Sequence, residues 1–242
     1  MVDIYNYNFH VECSRVDNTA NLSFDGIFDI IQIAGTEFLA INRYDNINMK
    51  KKYDSAWVIT KAKVKINKLP SWGSELKLKA YVVGMKSAKI DIEVCAYDDK
   101  DNLLFVAIDE YCPIDLKTRR IKRIREIEFN DIKIYDSILG LGYNIISFNN
   151  PILKDTFKVK FCDIDFTNHT NNVSYIRFIM NYLSRDFFNN NDVINVDIHY
   201  LNESLLNDEL SIYEERIDNI INLLIKKDDI NVFSIRIEYK HK

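Results

Sequence analysis

Two segments of the chain repeat the same order of residue types, and this repeat constrains the fold more than any other feature of the sequence. "FHVECSRVDNTANLSFDGIFDII" begins at Phe9 and "FKVKFCDIDFTNHTNNVSYIRFI" begins at Phe157, an offset of 157 − 9 = 148. The same offset pairs Asp17 with Asp165. In each copy a short strand-like start leads through a polar turn into an amphipathic helix. The sequence therefore predicts two related units in one chain.

Each predicted helix has one apolar face and is followed by alternating strands. Apolar residues recur at steps of three and four. They are Phe24, Ile27, Phe28, Ile31, Ala34 and Phe38 in the first helix and Val173, Ile176, Ile179, Met180, Leu183 and Phe187 in the second. Four segments with a period of two follow each helix, which is typical of antiparallel sheets with one solvated face. The pattern predicts an α+β fold, a double hotdog in which two antiparallel sheets each wrap a long central helix.

The boundaries between the predicted units follow from composition and periodicity. A stretch rich in Asn, Asp and Ile, with weak periodicity, separates the two repeats. We expect the first hotdog over residues 1–125, a polar connector over 126–155 and the second hotdog over 156–242.

The charge balance argues against nucleic acid and membrane surfaces as partners. The 242 residues carry a formal net charge of −4, and the isoelectric point is near 5.6, whereas phosphate binding draws on an excess of Lys and Arg. The amino terminus has no basic segment followed by an apolar stretch. The longest apolar run contains Asp29, Gln32 and Glu37, which are costly in a bilayer core. We expect a cytoplasmic protein that does not insert into membranes.

The four cysteines predict no metal site and no disulfide framework. Cys13, Cys95, Cys112 and Cys162 show neither CxxC spacing nor a nearby pair of histidines. We expect all four to be reduced, buried thiols.

The polar turn of the second repeat is the candidate site. Asp165, Thr167 and His169 occupy alternate positions, so in an extended segment their side chains point to one side. Asn171 or Asn172 is placed to cap the following helix, whose start concentrates partial positive charge. Helix capping alone would explain a single Asp or Asn. Of Asp165, Thr167 and His169, only the histidine can exchange a proton near neutral pH, and the first repeat has Asn21 in its place. The two repeats therefore differ at this position.

Three motifs resemble those of the acyl-acyl carrier protein thioesterases of the plant plastid and bacterial type. "AWVITKAKVKINKLPSWGSELKLKAYVVG" is similar to that family's WV strand followed by P-S/T-W-G, and "IDLKTRRIKRI" is similar to its T-R-R segment. "DIDFTNHTNNVSYI" resembles its D-x-D-x-N-x-H-V-N-N-x-x-Y. The resemblance covers nearly the whole chain. It implies a tandem hotdog and hydrolysis of fatty acyl-acyl carrier protein without a metal or organic cofactor.

The resemblance also implies the catalytic residues. Asp165 and His169 match the family's Asp and His, and "IHYLNES" resembles its E-Y-R-R-E-C, which places Glu203 on a catalytic Glu. Thr167 stands where the family has Asn, and Ser204 stands where it has Cys. A serine hydroxyl is far less acidic than a thiol, so we expect attack by water held between His169 and Glu203. Because Thr167 donates one hydrogen bond where an amide donates two, either it or the neighbouring Asn168 would serve at this position.

Substrate contacts follow from the same resemblance, with a structural alternative for each. In that family the first helix and sheet shape the acyl-chain slot, which here implies Phe24, Ile27, Phe28, Ile31 and Trp57. Asn171 and Asn172 are the further candidate substrate-binding residues. Ordinary core packing is the alternative for the apolar residues, and Trp57 has the better case because so large a ring is rarely wholly buried.

The run from Lys117 to Arg125 is basic on an otherwise acidic chain. Acyl carrier proteins are acidic around their phosphopantetheine, so Arg119, Arg120, Lys122 and Arg123 are candidate docking residues for this partner. A solvated strand end is the alternative.

Two other functions are compatible with the sequence. The same chemistry would hydrolyse acyl-CoA, and a non-catalytic acyl-binding hotdog protein would explain the changes at Thr167 and Ser204. The retained Asp165, His169 and Glu203 argue against a pure binder. Either a monomer or a homodimer fits a chain that contains both units.

Overall fold

A computed structural model describes residues 1–242 and divides them into two compact units, Met1–Gly142 and Tyr143–Lys242. The predicted boundaries differ from these. Part of the expected connector over 126–155 belongs to the first unit, and the strand Ile152–Lys158 begins inside it. Most residues of this strand are exposed. Its sequence therefore lacks the alternation of apolar residues that would have predicted a strand.

Unit 1 contains five antiparallel strands, one long helix and one short helix. Its helices are α1 (Phe24–Ile41) and α2 (Asn46–Tyr53), and its strands are β1 (Ile4–His10), β2 (Ser55–Ile66), β3 (Glu75–Lys86), β4 (Lys89–Tyr97) and β5 (Leu103–Asp115). The strand order is β1-β3-β4-β5-β2, with every pair antiparallel. The element order agrees with the predicted one except for α2.

Helix α1 is placed by its cap and its apolar face. The Ser23 hydroxyl accepts a hydrogen bond from the backbone N–H of Gly26 at 3.1 Å, which satisfies one of the donors left open at a helix start. The predicted apolar face is buried, with Ile27 and Ala34 fully inside the unit. Burial of this face against the sheet is the main force that holds the helix in place.

Unit 2 repeats the plan. It contains α3 (Asn172–Asn190) and the strands β6 (Ile152–Lys158), β7 (Asn191–Tyr200), β8 (Glu209–Ile217), β9 (Ile220–Lys227) and β10 (Ile230–His241). The strand order is β7-β10-β9-β8-β6, again antiparallel throughout. Five antiparallel strands and a long helix in each unit confirm the predicted α+β hotdog fold class.

Helix α3 is interrupted near its end. Ser184 has left-handed backbone angles, with φ of 67°, so the helical phase is lost there. Before the break Ile176, Ile179 and Leu183 are buried as predicted. Beyond it Phe187 lies 5.1 Å, ring to ring, from Tyr239 of β10 and is half-buried, so it is not part of one continuous apolar face.

The cysteine prediction is half right. Cys95 and Cys112 are buried, whereas Cys13 and Cys162 are exposed. The exposed pair lies in the two short 3-10 helices at Cys13–Arg15 and Phe161–Asp163, where few apolar neighbours are available to cover a side chain. None of the helices has the length and apolar character needed to span a bilayer.

Candidate active site

The polar turn of unit 2 is organised around one carboxylate oxygen. Asp165 Oδ1 accepts hydrogen bonds from Thr167 N at 2.7 Å, from Thr167 Oγ1 at 2.6 Å and from His169 N at 3.4 Å. Asn168 takes left-handed angles, with φ of 66°, so the chain can double back, and Ile164 pairs with Thr170 across the turn. Asp165 therefore fixes the turn that carries His169.

His169 is held from both ring nitrogens. Its Nδ1 lies 3.1 Å from Thr167 Oγ1, and its Nε2 lies 3.2 Å from Glu203 Oε2. The side chains of His169 and Glu203 are 28% and 46% exposed, so water can reach both. The structure brings together all four residues that the sequence placed in the catalytic network.

The hydrogen bonds around Thr167 select one tautomer of the histidine. The Thr167 hydroxyl has a single proton, and the 2.6 Å contact to the Asp165 carboxylate takes it. The hydroxyl oxygen can then only accept, so His169 Nδ1 must be the protonated nitrogen of the neutral ring. Nε2 then faces Glu203 Oε2 across 3.2 Å, so the two groups share a proton and form a pair that can exchange it near neutral pH.

Ser204 is a buried support, and its position does not suit a nucleophile. It is 0% exposed, and its hydroxyl lies 2.7 Å from Thr170 Oγ1 and 2.8 Å from Tyr175 Oη. Its carbonyl oxygen accepts from Thr170 N at 2.9 Å. Both Glu203 and Ser204 lie in the loop that follows β7, which ends at Tyr200. The Ser204 contacts join this loop to the histidine turn and so fix the distance between the acid and the base.

The start of α3 closes the site on the third side. Asn171, and not Asn172, is the capping residue, because Asn171 Oδ1 accepts from Val173 N at 2.8 Å while Asn172 is the first residue of the helix. Ser174 Oγ also donates to the carbonyl oxygen of Asp163 at 3.1 Å, which ties the first turn of the helix to the segment before Asp165. The positive end of the helix thus follows His169 directly.

Unit 1 contains the same turn without the histidine. Asp17 Oδ1 accepts from Thr19 N at 2.8 Å and from Thr19 Oγ1 at 2.6 Å, which reproduces the contacts of Asp165 and Thr167. Asn21 occupies the place of His169, and its Nδ2 donates to Thr19 Oγ1 at 3.0 Å while its Oδ1 accepts from Ser71 Oγ at 3.0 Å. The two units therefore share a scaffold and differ in the residue that can exchange protons.

The residues predicted for the acyl slot lie in the core of unit 1. Phe24, Ile27, Phe28 and Ile31 are buried on α1. Trp57 is also buried, and its Nε1 donates to the carbonyl oxygen of Tyr44 at 2.9 Å.

Packing accounts for the burial of Trp57. Its ring makes edge contacts with Tyr111 and Phe129, at centroid distances of 6.3 Å and 5.8 Å. A cavity of about 500 Å³ in unit 1 is lined by Lys68, Leu69, Pro70, Ser71, Ser74, Glu75, Leu76, Asp98, Asp99, Lys100 and Leu104, which include none of the five predicted residues.

The basic run contains three exposed arginines and one lysine that is bonded to other residues of the chain. Arg119, Arg120 and Arg123 are exposed. Lys122 is half-buried, because its Nζ donates to the carbonyl oxygen of Tyr53 at 2.7 Å and lies 3.3 Å from Asp115 Oδ2. Hydrogen bonds from Thr118, with Lys122 nearby, lower the pKa of Asp115 to about 2. Lys122 is thus a structural residue of this loop.

Sequence reasoning missed the support behind the catalytic loop. Tyr175 is buried, and burial raises the pKa of its hydroxyl, which stays protonated beside Ser204. Tyr175 is the final residue of the motif N-N-x-x-Y, so the motif already contained the signal. Nothing in the sequence indicated that Thr170 would join the network, because buried and exposed threonines look alike in a sequence.

Two units of one strand topology, each with a long helix, and an Asp-Thr-His turn facing a glutamate in only one of them define a tandem hotdog protein with a single candidate hydrolytic site. The family model of the acyl-ACP thioesterase N-terminal domain matches residues 2–132, and that of the acyl-ACP thioesterase C-terminal domain matches residues 149–241. The chain belongs to the acyl-ACP thioesterase family.

Curated relatives are distant in sequence. A chloroplastic acyl-acyl carrier protein hydrolase of Cuphea viscosissima is 21% identical over 160 residues, which cover 63% of this chain and 39% of the relative. A chloroplastic palmitoyl-acyl carrier protein thioesterase of Cuphea hookeriana is 20% identical over 218 residues, 83% of this chain and 52% of the relative. The chain spans about half the length, or less, of the curated relatives that it matches.

Solved structures match over the full chain. The crystal structure of an acyl-ACP thioesterase from Bacteroides thetaiotaomicron has a TM-score of 0.86 at 18% identity and covers 98% of each chain. The 12:0-ACP thioesterase from Umbellularia californica has a TM-score of 0.85 at 15% identity and covers 99% of this chain and 98% of that one. At such identities the likeness shows that the hotdog fold is shared.

Proposed function

We propose that this protein hydrolyses the thioester of a fatty acyl-acyl carrier protein and releases the free fatty acid. The observation that carries the proposal is the contact between His169 Nε2 and Glu203 Oε2, at 3.2 Å, in a turn that is repeated in unit 1 without these two groups. Membership of the acyl-ACP thioesterase family supports the choice of substrate.

In the proposed reaction a water molecule binds beside the pair formed by His169 and Glu203, whose facing atoms are 3.2 Å apart. His169 Nε2 takes a proton from the water as its oxygen attacks the thioester carbonyl carbon, and Glu203 stabilises the resulting imidazolium. The start of α3 offers a positive field for the oxyanion. When the carbon–sulfur bond breaks, His169 returns the proton to the sulfur. The products are a fatty acid and the thiol of the carrier, so no cofactor takes part.

Asp165 and Thr167 act in this scheme as positioning residues. They fix the tautomer of His169 through Nδ1, the role that the asparagine of the family motif would otherwise fill with its amide. Thr167 is therefore compatible with catalysis even though it departs from that motif. The same network accounts for Ser204, which supports the loop and leaves the attack to water.

We further propose that the acyl chain binds in unit 1 along α1. The support is the set of apolar side chains on one face of that helix, Phe24, Ile27, Phe28 and Ile31. The carrier protein would dock on Arg119, Arg120 and Arg123, whose exposed positive charges complement an acidic partner. Trp57 and Lys122 are assigned to the support of unit 1 because of their hydrogen bonds.

The test is the rate of thiol release by the purified protein from matched acyl-acyl carrier protein and acyl-CoA thioesters. We expect a higher kcat/KM on the carrier protein thioester. A higher kcat/KM on acyl-CoA would instead identify acyl-CoA as the substrate of the same hydrolysis. No thiol release from either substrate would leave a non-catalytic acyl-binding protein.

A further inference from the structure

Asp109 is a buried carboxyl group without a hydrogen-bond partner in the chain. It lies in β5 and is 5% exposed. Its neighbours in the sheet register are Ala62 of β2 and Ile92 of β4, which are both buried and apolar. Burial alone raises the pKa of Asp109 to about 7, because no cation or hydrogen-bond donor offsets the loss of water.

The side chain of Asp109 is directed to the helix side of the sheet. Alternation along β5 places it on the same face as Tyr111, since the pairing of β5 with β4 is regular between these positions. The Tyr111 hydroxyl packs against Gly35 of α1, at a place where any larger residue would collide with it. Asp109 therefore faces the layer that contains α1 and its apolar residues.

Glu93 and Glu110, two other buried acids of unit 1, have partners within the chain, so an unsatisfied carboxyl is not a general feature of this unit. Glu93 accepts hydrogen bonds from Tyr81 Oη at 2.7 Å, from Ser137 Oγ at 2.6 Å and from two backbone N–H groups. Glu110 forms a hydrogen bond with Thr60 at 2.7 Å and an ion pair with Lys89. Both lie on the opposite face from Asp109, because they are offset from it by one strand position.

A buried polar group without a partner destabilises the folded chain, so a partner that arrives with a ligand would offset that cost. An unsubstituted acyl chain has no group that could bond to a carboxyl. A hydroxyl on the chain can donate to Asp109 in either of its protonation states, whereas a keto oxygen can pair only with the protonated acid.

We propose that Asp109 is a specificity residue that binds a hydroxyl group carried by the acyl chain, so that hydroxyacyl thioesters are preferred substrates. The inference rests on the proposed thioesterase function and on an acyl chain that binds along α1. It adds a substrate class to that function, because selection by a buried hydrogen bond strongly disfavours the analogue that lacks the hydroxyl.

The test compares thioesters of one chain length, with the hydroxyl at a series of positions or absent, on the wild type and on Asp109→Leu and Asp109→Asn. In the wild type we expect kcat/KM for one hydroxyl isomer to exceed that for the unsubstituted chain by about tenfold or more. Asp109→Leu should lose this preference and gain activity on the unsubstituted chain, while Asp109→Asn, which keeps the shape and a hydrogen-bonding group, should retain part of it. The matched control is Asp197→Asn in β7, an equally buried acid of unit 2, which should leave the ratio unchanged.

Binding of the free acids separates this inference from the proposed function. Calorimetry with a hydroxy fatty acid and its unsubstituted counterpart needs no turnover, and it should show about tenfold tighter binding of the hydroxy acid to the wild type only. Equal binding of the two acids, or a preference that survives in Asp109→Leu, would overturn the role of Asp109. Absence of thiol release from every thioester would instead count against the thioesterase proposal. A preference for keto over hydroxyl substituents that disappears above neutral pH would also overturn the role of Asp109 in binding a hydroxyl.

Discussion

His169 Nε2 and Glu203 Oε2 lie 3.2 Å apart although the two residues belong to different loops of unit 2. The loops are joined by the bond from Thr170 N to the carbonyl oxygen of Ser204 and by the hydroxyl contacts of Ser204. His169 and Glu203 are therefore set in register by buried backbone and hydroxyl groups, while their own side chains remain open to water.

Replacing the base should remove most of the activity. For His169→Ala we expect turnover to fall by about 100- to 10,000-fold, the range typical of a positioned general base. Steady-state thiol release measures the change, and circular dichroism verifies the fold. Asn21→Ala, at the equivalent position of unit 1, serves as the matched control and should leave turnover almost unchanged. Equal losses in both variants would refute the assignment.

Thr167 should act through the tautomer of His169. Thr167→Val keeps the shape but removes the acceptor for Nδ1–H, so we expect kcat to fall about tenfold or more and the pH profile of kcat to shift. Thr167→Ser should restore both. A loss of kcat in Thr167→Val with an unchanged pH profile would assign a purely structural role to the threonine.

Ser204 should matter for stability more than for chemistry. In Ser204→Ala the hydroxyls of Thr170 and Tyr175 lose a buried partner, so the free energy of unfolding should decrease by about 1–3 kcal/mol. Urea unfolding measures this loss. The rate of thiol release at a temperature where the variant is folded should fall less than about tenfold. A folded variant with a loss comparable to that of His169→Ala would point to a nucleophilic serine.

Asp109 should make the stability depend on pH. Its pKa is about 7 in the folded chain and 3.8 in its ordinary state, so the folded form retains the proton longer. The proton on Asp109 therefore contributes fully to the free energy of unfolding below about pH 4, and this contribution is lost as the pH rises towards 7. Relative to the wild type, Asp109→Asn should gain about 2–3 kcal/mol of unfolding free energy between pH 5 and pH 8. Parallel stability curves of the two proteins would contradict this.

The exposed arginines should control affinity for the carrier protein. For Arg119→Glu combined with Arg120→Glu we expect KM for acyl-acyl carrier protein to rise by about tenfold at low salt, with little change in kcat and less effect as salt is added. Lys65→Glu combined with Lys68→Glu, two exposed reversals elsewhere in unit 1 that change the net charge equally, is the control for net charge. An effect that is the same for both variants, or that persists at high salt, would exclude specific docking.

The repeat and the periodicity predicted most of the fold because they report on burial. The alternation in β2 to β5 and the apolar face of α1 depend on which side chains leave water, and this is visible in a sequence. Helix α2 was missed because it is highly charged and buries only Met49, and its bounds depend on the Asp45 cap and on the left-handed Asp54. The break at Ser184 was missed since neither Gly nor Pro marks it.

The candidate site was predictable in its reacting residues and not in its supports. Asp165, His169 and Glu203 came from spacing and family motifs, which select for chemistry. The bridging role of Thr167 depends on which way a single hydroxyl proton points, and the burial of Ser204 depends on the packing of Tyr175. Both are properties of three-dimensional contacts that residue types alone do not specify.

The three bonds to Asp165 Oδ1 also have a consequence for the timing of catalysis. The equivalent bonds in unit 1, where no histidine follows, show that this turn adopts its shape as the chain folds, independently of any reacting group. In the proposed reaction the imidazole is thus oriented before a substrate arrives, and the entropy of ordering it is lost once, during folding, and not again in each turnover.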